Sequence, residues 1–231
     1  MREKKLRNVA WVIVLVTLVA SIVYTIIRLC IGGEKPQSDY TLMLLQCCLG
    51  VVVLFLPNVI EHRWNWALPN YLVIFYYLFL YCAIYLGEVR SFYYVIPFWD
   101  SILHGFSAGM LGIFGLFLVN LLNRHDNVAV QLSPVFVALF SFCFALAVGA
   151  LWEIYEFTGD GLLGLNMQKF RLEDGTQLVG HEALKDTMKD IIIDALGAFT
   201  ISFIWLLGKT GKNLKLKRAA KGEKHGEEKH D

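Results

Sequence analysis

Six apolar stretches, each about as long as a bilayer-spanning helix, constrain this chain more than any other feature. A helix needs about 20 mostly apolar residues to cross the hydrocarbon core of a membrane. Because the connections between the stretches are mostly short, the pattern predicts an all-α, polytopic integral membrane bundle of six transmembrane helices in one domain, residues 1–208. The predicted spans are about 8–32, 40–60, 69–88, 98–122, 132–156 and 186–208.

The composition excludes several classes of protein. The chain is 56% hydrophobic and 18% charged, whereas a soluble domain carries about 25% charged residues. Disorder throughout the chain and nucleic-acid binding are therefore excluded, and membrane lipids are the expected partners. The five cysteines lie in apolar stretches without metal-type spacing and are expected to pack as small hydrophobes. The sequence leaves the oligomeric state open.

The distribution of Lys and Arg predicts the orientation of the chain, because basic residues beside a span stay in the cytoplasm. With both termini inside, the cytoplasmic segments hold fourteen Lys or Arg and the outer loops hold five. The sequence therefore predicts cytoplasmic N- and C-termini. It also predicts one long outer loop, 157–185, whose apolar residues favour a lid on the membrane surface, and a basic, disordered cytoplasmic tail, 209–231.

Ionisable residues form one stripe on each of the last three predicted spans. Residues three or four positions apart share a helix face. In the predicted orientation the fourth span begins, the fifth ends and the sixth begins on the outer side, so the stripes share the outer half of the membrane. Their members are Asp100 and His104, then Glu153, Glu156 and Asp160, then Asp186, Asp190 and Asp194.

These stripes predict a cation site, because acids inside a membrane are costly and normally mark function. Seven carboxyls beside one imidazole need protons, water or bound cations, and this donor set suits Mg²⁺, Mn²⁺ or Zn²⁺. Asp160 and Asp186 are expected at the mouth of the site. The predicted metal ligands are Asp100, His104, Glu153, Glu156, Asp190 and Asp194.

Structural roles are alternatives for some of these acids. Asp100 and Asp186 begin helices, where an acid caps free backbone amides and meets the positive end of the helix dipole. Lys189 is a possible ion-pair partner within the sixth span.

Four motifs carry a family resemblance: FWDSILHG at 98–105, WEIYEF at 152–157, GLNMQ at 164–168 and DTMKDIIIDALG at 186–197. With them the chain resembles the YjdF-like family of bacterial polytopic membrane proteins, which is distantly similar to the VanZ-like proteins associated with glycopeptide resistance. The resemblance implies the bacterial cytoplasmic membrane. The chain has Glu156 and Asp194 where a VanZ-like protein would have amides, which strengthens the prediction of a cation.

Three functions fit these residues. The first is an outward-facing site that binds a divalent cation and acts on, or binds, an envelope lipid or glycan precursor. As an enzyme it would be a metal-dependent hydrolase or transferase at the outer leaflet, with Glu153 or Glu156 as general base and His104 as ligand or acid. The second is a proton- or ion-coupled transporter, and the third is a non-catalytic membrane accessory or immunity protein.

Overall fold

The computed structural model describes residues 2–33, 37–122, 132–172 and 175–227, with side chains described as far as residue 212. These residues form helices, and outside the helices one isolated antiparallel bridge joins Arg171 to Gln177. The helices are α1 Arg2–Ile31, α2 Gln37–Leu54, α3 Leu56–Trp64, α4 Asn70–Leu80 with a π-helical continuation Tyr81–Val89, α5 Phe92–Val95, α6 Trp99–Leu122, α7 Pro134–Leu163 and α8 His181–Glu227.

The prediction of an all-α bundle with six membrane-spanning helices is confirmed. Six helical segments of the described chain are long and apolar enough to cross a membrane. Their many exposed large apolar side chains cover the outside of the bundle, where they contact lipid. The segments are Arg2–Ile31, Gln37–Trp64, Asn70–Val89, Trp99–Leu122, Pro134–Leu163 and His181–Lys212.

A proline divides the second span into α2 and α3. Pro57 lies in the first turn of α3 and has no amide to donate, which frees the carbonyl of Val53 one turn earlier. The hydroxyl of Tyr76 on α4 donates to that carbonyl at 2.7 Å. The break is therefore satisfied from a neighbouring helix, as a break inside a membrane requires.

The fifth span is longer than the sequence predicts, and the outer loop is correspondingly shorter. The helix α7 passes through Gly159 and Gly161 and ends at Gly164, whose φ of +67° suits a left-handed helix cap. Since α8 begins at His181, the connection comprises residues 164–180 and not 157–185. Within it, Leu165 is buried.

The structure also differs from the sequence prediction after residue 208. The backbone of α8 stays helical to Glu227, where the sequence predicts a disordered tail. Lysine, which favours helix, is the commonest residue of this segment, and Leu, Ala and Glu, which also favour helix, accompany it despite three glycines. Residues 228–231 and the connections that contain Lys35 and Arg124, both used in predicting orientation, lie outside the described residues.

The spans form two groups of three. The first group is α1, α2 and α4, which pack around a core that includes Leu18, Met43 and Tyr77. The second is α6, α7 and α8, which pack against one another over most of their length. Here the Ser141 hydroxyl donates across the helix interface to the Gly112 carbonyl at 2.5 Å. Contacts between α4 and α6 join the groups.

Candidate functional site

His104 lies at the centre of the acids that the sequence places on three separate helices. Its Nδ1 lies 3.3 Å from Asp194 Oδ1 and 3.3 Å from Asp194 Oδ2. Its Nε2 lies 3.8 Å from Asp100 Oδ1 and 3.8 Å from Glu153 Oε1. One buried imidazole is therefore within reach of a carboxylate from α6, α7 and α8. The structure thus brings together one carboxylate from each of the three stripes around the imidazole.

The tautomer of His104 determines which face of the ring can bind a cation. With the proton on Nδ1, the ring donates toward Asp194 and leaves the lone pair of Nε2 free. This is the arrangement in which a carboxylate orients a metal-binding histidine from behind. Asp194 is suited to that orienting role, because its carboxylate faces the opposite ring nitrogen from Asp100.

Asp100, His104 and Asp190 could hold a metal ion together. Each offers a ligand atom, and the three atoms lie within 4.8 Å of one another. Asp190 is 2% exposed, and its Oδ1 accepts no hydrogen bond from any described residue. A buried carboxylate oxygen without a donor is costly, because it has lost water without replacement. A cation bound at this position would remove that cost.

Two lysines supply positive charge beside these acids. Lys169, in the loop between α7 and α8, is hydrogen-bonded to Asp100 and lies 3.4 Å from Asp186 Oδ1. Lys189 Nζ lies 3.7 Å from Asp186 Oδ1 and 3.7 Å from Asp190 Oδ1. Burial of the ammonium lowers the pKa of Lys169, but the charges of Asp100 and Asp186 outweigh burial, so this pKa is raised above its ordinary value. Lys169 is therefore fully charged at neutral pH.

Asp160 fixes the outer loop over the site. Its buried carboxylate accepts hydrogen bonds from the backbone amide of Met167 at 2.7 Å and from that of Gln168 at 3.0 Å. The Gln168 side chain donates to Thr187 Oγ1 on α8 at 2.7 Å and lies 3.5 Å from Glu153 Oε2. Asp160, predicted at the mouth of the site, thus holds the chain segment that carries Lys169.

A cavity of about 290 Å³ extends from this cluster into the space between the two helix groups. Its polar lining includes Asp100, His104, Glu156, Lys169 and Asp194. The remaining predicted site residues, Glu153, Asp160, Asp186 and Asp190, are not among the lining residues. The rest of its wall is mostly apolar. Apart from Gln46, the side chains that α2 and α4 contribute are chiefly apolar, and the wall includes Leu42, Leu49, Phe79, Leu80 and, from α6, Leu111.

The predicted site residues around His104 fall into four groups relative to this cavity. Asp100, His104 and Asp194 belong both to the His104 cluster and to the cavity wall. Glu153 and Asp190 belong to the cluster alone. Glu156 lies on the wall, where its Oε1 accepts a hydrogen bond from Trp152 Nε1 at 2.9 Å. Asp186 contacts both lysines.

Several residues at the site were missed by sequence reasoning. The sequence uses Lys169 only to predict orientation, although a surplus of acids is itself a signal that a nearby loop lysine is a partner. Glu88, 6% exposed at the end of the third span, and Tyr93 also line the cavity. Burial, with the charges of Asp100 and Glu88, raises the pKa of Tyr93 well above its ordinary value. Tyr93 is therefore a protonated hydrogen-bond donor.

Comparison with known proteins places the chain in a family. The profile of a family described as "Predicted membrane protein (DUF2238)" matches residues 9–210. The chain belongs to this family. An uncharacterised protein of Thermotoga maritima is similar to it, with 35% identity over 129 residues, 55% of this chain and 57% of that protein. The chain thus matches little more than half the length of that relative. No solved structure matches.

These comparisons agree with part of the resemblance seen in the sequence. A YjdF-like protein fits the DUF2238 family, and the chain is a multi-pass membrane protein. The similarity to VanZ-like proteins stays a prediction.

Proposed function

We propose that this protein binds a divalent cation between Asp100, His104 and Asp190 and uses it to bind, or act on, the headgroup of an envelope lipid or glycan precursor. The site would lie in the outer half of the bacterial cytoplasmic membrane. The observation that carries the proposal is the single cavity that joins the acidic and histidine cluster to an apolar cleft between the helix groups. A ligand with a polar head and an apolar chain fits such a cavity.

The charge balance supports the cation. Three basic side chains, those of Lys169, Lys189 and His104, supply at most three positive charges near the site. Six carboxyls surround them, those of Asp100, Glu153, Glu156, Asp186, Asp190 and Asp194. Uncompensated charges are expensive in a low-dielectric interior. A divalent cation offsets this excess of negative charge better than a further ammonium would, and its preferred ligands are carboxylate oxygen and imidazole. The donors suit Mg²⁺, Mn²⁺ or Zn²⁺.

The two candidate general bases differ in their access to a ligand. Glu156 lines the cavity, so its carboxylate faces the space that a substrate would occupy. Glu153 is 4% exposed and faces His104. If the protein is a hydrolase or transferase, Glu156 accepts the proton from the attacking group, and Glu153 lies on the cation-binding side of the His104 ring, with Oε1 3.8 Å from Nε2. The bound cation would supply Lewis acidity to the headgroup.

The apolar end of the cavity supports a lipid ligand over a water-soluble ion as cargo. In α6, α7 and α8, the residues inward of His104, Glu153 and Asp194 include no Asp, Glu, His, Lys or Arg before Lys209. A proton- or ion-coupled transporter would need a path across this half of the membrane. The alternative of a transporter therefore has less support than a site confined to one half.

Elemental analysis of the detergent-purified full chain tests the metal. We expect about one equivalent of divalent metal in the wild-type protein, its loss in Asp190→Asn, and its retention in Asp39→Asn. Asp39 is the matched control, a half-buried aspartate in the first turn of α2 that lies outside the site. A metal-free wild type, with Asp190→Asn more stable than wild type, would contradict the metal proposal and favour an accessory protein with a protonated polar core.

Mass spectrometry of co-purified lipids tests the other half of the proposal. Ala83→Trp places a large side chain in the apolar end of the cavity, and we expect it to deplete the bound lipid without removing the metal. Val52→Trp is the control, because Val52 is 69% exposed on the lipid-facing side of α2. Equal lipid content in both variants would contradict the lipid role.

A further inference from the structure

Lys169 lies where the carboxylates of the site and a ligand bound in the cavity would compete for its ammonium. Its ammonium is shared between Asp100 and Asp186, and it also lines the cavity. Its side chain is 38% exposed, so it has room to move. The residue has a φ of +50°, a conformation that non-glycine residues adopt at a cost. The loop bonds to Asp160 and Thr187 hold this conformation in place.

A cation bound at the site would weaken the hold of Asp100 on Lys169. Asp100 presents Oδ1 toward His104 and Oδ2 to Lys169, so one carboxylate serves both. A dication and an ammonium on the same carboxylate repel each other strongly in a partly buried site. The second partner of Lys169, Asp186, also has Lys189 at 3.7 Å and is not left unpaired when Lys169 leaves.

The cation would also offset the negative charge of the cavity. Without it, the polar end is lined by the carboxylates of Asp100, Glu156 and Asp194, which repel an anion. The Oδ1 of Asp190, a residue that is 2% exposed, accepts no hydrogen bond from the described residues, and Lys189 Nζ lies 3.7 Å from it, beyond hydrogen-bond distance. A cation would fit at this oxygen. A dication together with a released ammonium makes the same end attractive to phosphate, which both groups bind well.

We propose that Lys169 is the anion-binding residue of this site: the divalent cation displaces its ammonium from Asp100, and the ammonium then binds the phosphate group of a lipid headgroup. The proposal rests on the proposed metal site and adds to it a ligand class and an order of binding. Metal binds first, and phosphate binds to the metal-loaded protein.

The test uses the detergent-purified full chain with Mn²⁺ and dioctanoyl phosphatidate as probes, both measured by titration calorimetry. Lys169→Met removes the competitor, so Mn²⁺ should bind about fivefold more tightly. The same change should weaken phosphatidate binding to the Mn²⁺-loaded protein about tenfold. A variant that only loosens the loop would weaken both, so the opposite signs separate anion binding from a structural role. Lys169→Arg should restore phosphatidate binding.

Lys185→Met is the matched control. Lys185 is 68% exposed on the outer side of α8 and pairs with Glu182, so removing its charge should leave both affinities unchanged. Dioctanoylglycerol, which lacks the phosphate, should bind equally to wild type and Lys169→Met. If inorganic phosphate binds as tightly as phosphatidate, the proposal of a lipid source is overturned and a free phosphate takes its place.

Failure of this inference is distinguishable from failure of the metal site. Normal phosphatidate binding by Lys169→Met, with Mn²⁺ binding intact, overturns the role of Lys169 and leaves the metal site standing. Unchanged Mn²⁺ affinity in Lys169→Met overturns the displacement. Absence of Mn²⁺ binding by the wild type overturns both proposals.

Discussion

Gly149 on α7 leaves the space in which the Asp194 carboxylate of α8 lies, and adding one methyl group there should disturb the site. A Cβ at Gly149 would overlap Asp194 Oδ2 and lie 2.9 Å from Asp194 Cγ and 3.3 Å from its Cβ. Asp194 is 2% exposed and cannot rotate into solvent. The Gly149→Ala variant must therefore displace the carboxylate from its present position, in which Asp194 Oδ1 lies 3.3 Å from His104 Nδ1.

The expected magnitude combines three effects. Alanine in a helix interior is favoured over glycine by about 1 kcal/mol. Against this, overpacking a tight contact costs about 1–3 kcal/mol, and weakening a buried hydrogen bond that involves a charged group costs about 1.5–3 kcal/mol. The net expectation is a loss of about 2 kcal/mol in the free energy of unfolding, with a weaker metal site.

Thermal unfolding in detergent, compared with Gly161→Ala, measures this effect. Gly161 is on the same helix, and a Cβ there meets nothing within 4 Å, so this variant should be neutral or stabilised by up to about 1 kcal/mol. In an Asp194→Ala background the collision with the carboxylate is gone, and Gly149→Ala should lose most of its cost. If Gly149→Ala is as stable as Gly161→Ala in the wild-type background, the close contact does not govern the site.

The remaining predictions concern the loop, the pH dependence and the metal. Asp160→Asn weakens the acceptor of two loop amides and should speed tryptic cleavage at Arg171, whereas Thr158→Ala, which removes a hydroxyl bonded within α7, should not; equal cleavage rates would argue against the loop anchor. The pKa of Lys169 is raised in the folded protein. Below the unfolded pKa of about 10.4 its ammonium therefore makes its full contribution to the free energy of unfolding, and this contribution is lost as the pH rises through the higher folded pKa. The stability difference between wild type and Lys169→Met should therefore shrink above about pH 10.4 in alkaline melts, and a growing difference would refute this sign. A chelator should lower the melting temperature of the wild type but leave Asp190→Asn unchanged, and equal shifts in both would place the metal elsewhere.

Helical periodicity accounts for the part of the site that sequence reasoning could predict. Asp100 and His104, one turn apart on α6, face the acids of α7 and α8 because residues four apart share a helix face, whatever the surrounding structure. The same rule places Asp190 and Asp194 on one side of α8. The order and direction of the spans are enough to predict that the three stripes lie at the same depth in the membrane.

Residues off the helical repeat could not be predicted in this way. Lys169 reaches Asp100 because the loop before it is fixed by Asp160 and because its own backbone is left-handed, and neither property has a period in sequence. The end of α7 was placed too early because the glycines after Phe157 were interpreted as a loop, although Gly164 alone has a positive φ in that stretch. The sequence does not predict Glu88 at the site, because the helix changes from α- to π-helical winding at Tyr81, before Glu88.

Because of this change from α- to π-helix, the direction in which Glu88 points depends on the number of residues that precede it in the segment. A π-helix accommodates extra residues within a helical segment and occurs often at functional sites. Residues 81–89 are wound in this way, and Glu88 near their end lines the cavity. Each residue of an α-helix turns the chain by about 100°, so deleting a single residue between Tyr81 and Gly87 would turn Glu88 away from its present direction by roughly that angle. In this span a one-codon deletion would alter the cavity more than most substitutions, while leaving an apolar helix still long enough to cross the membrane.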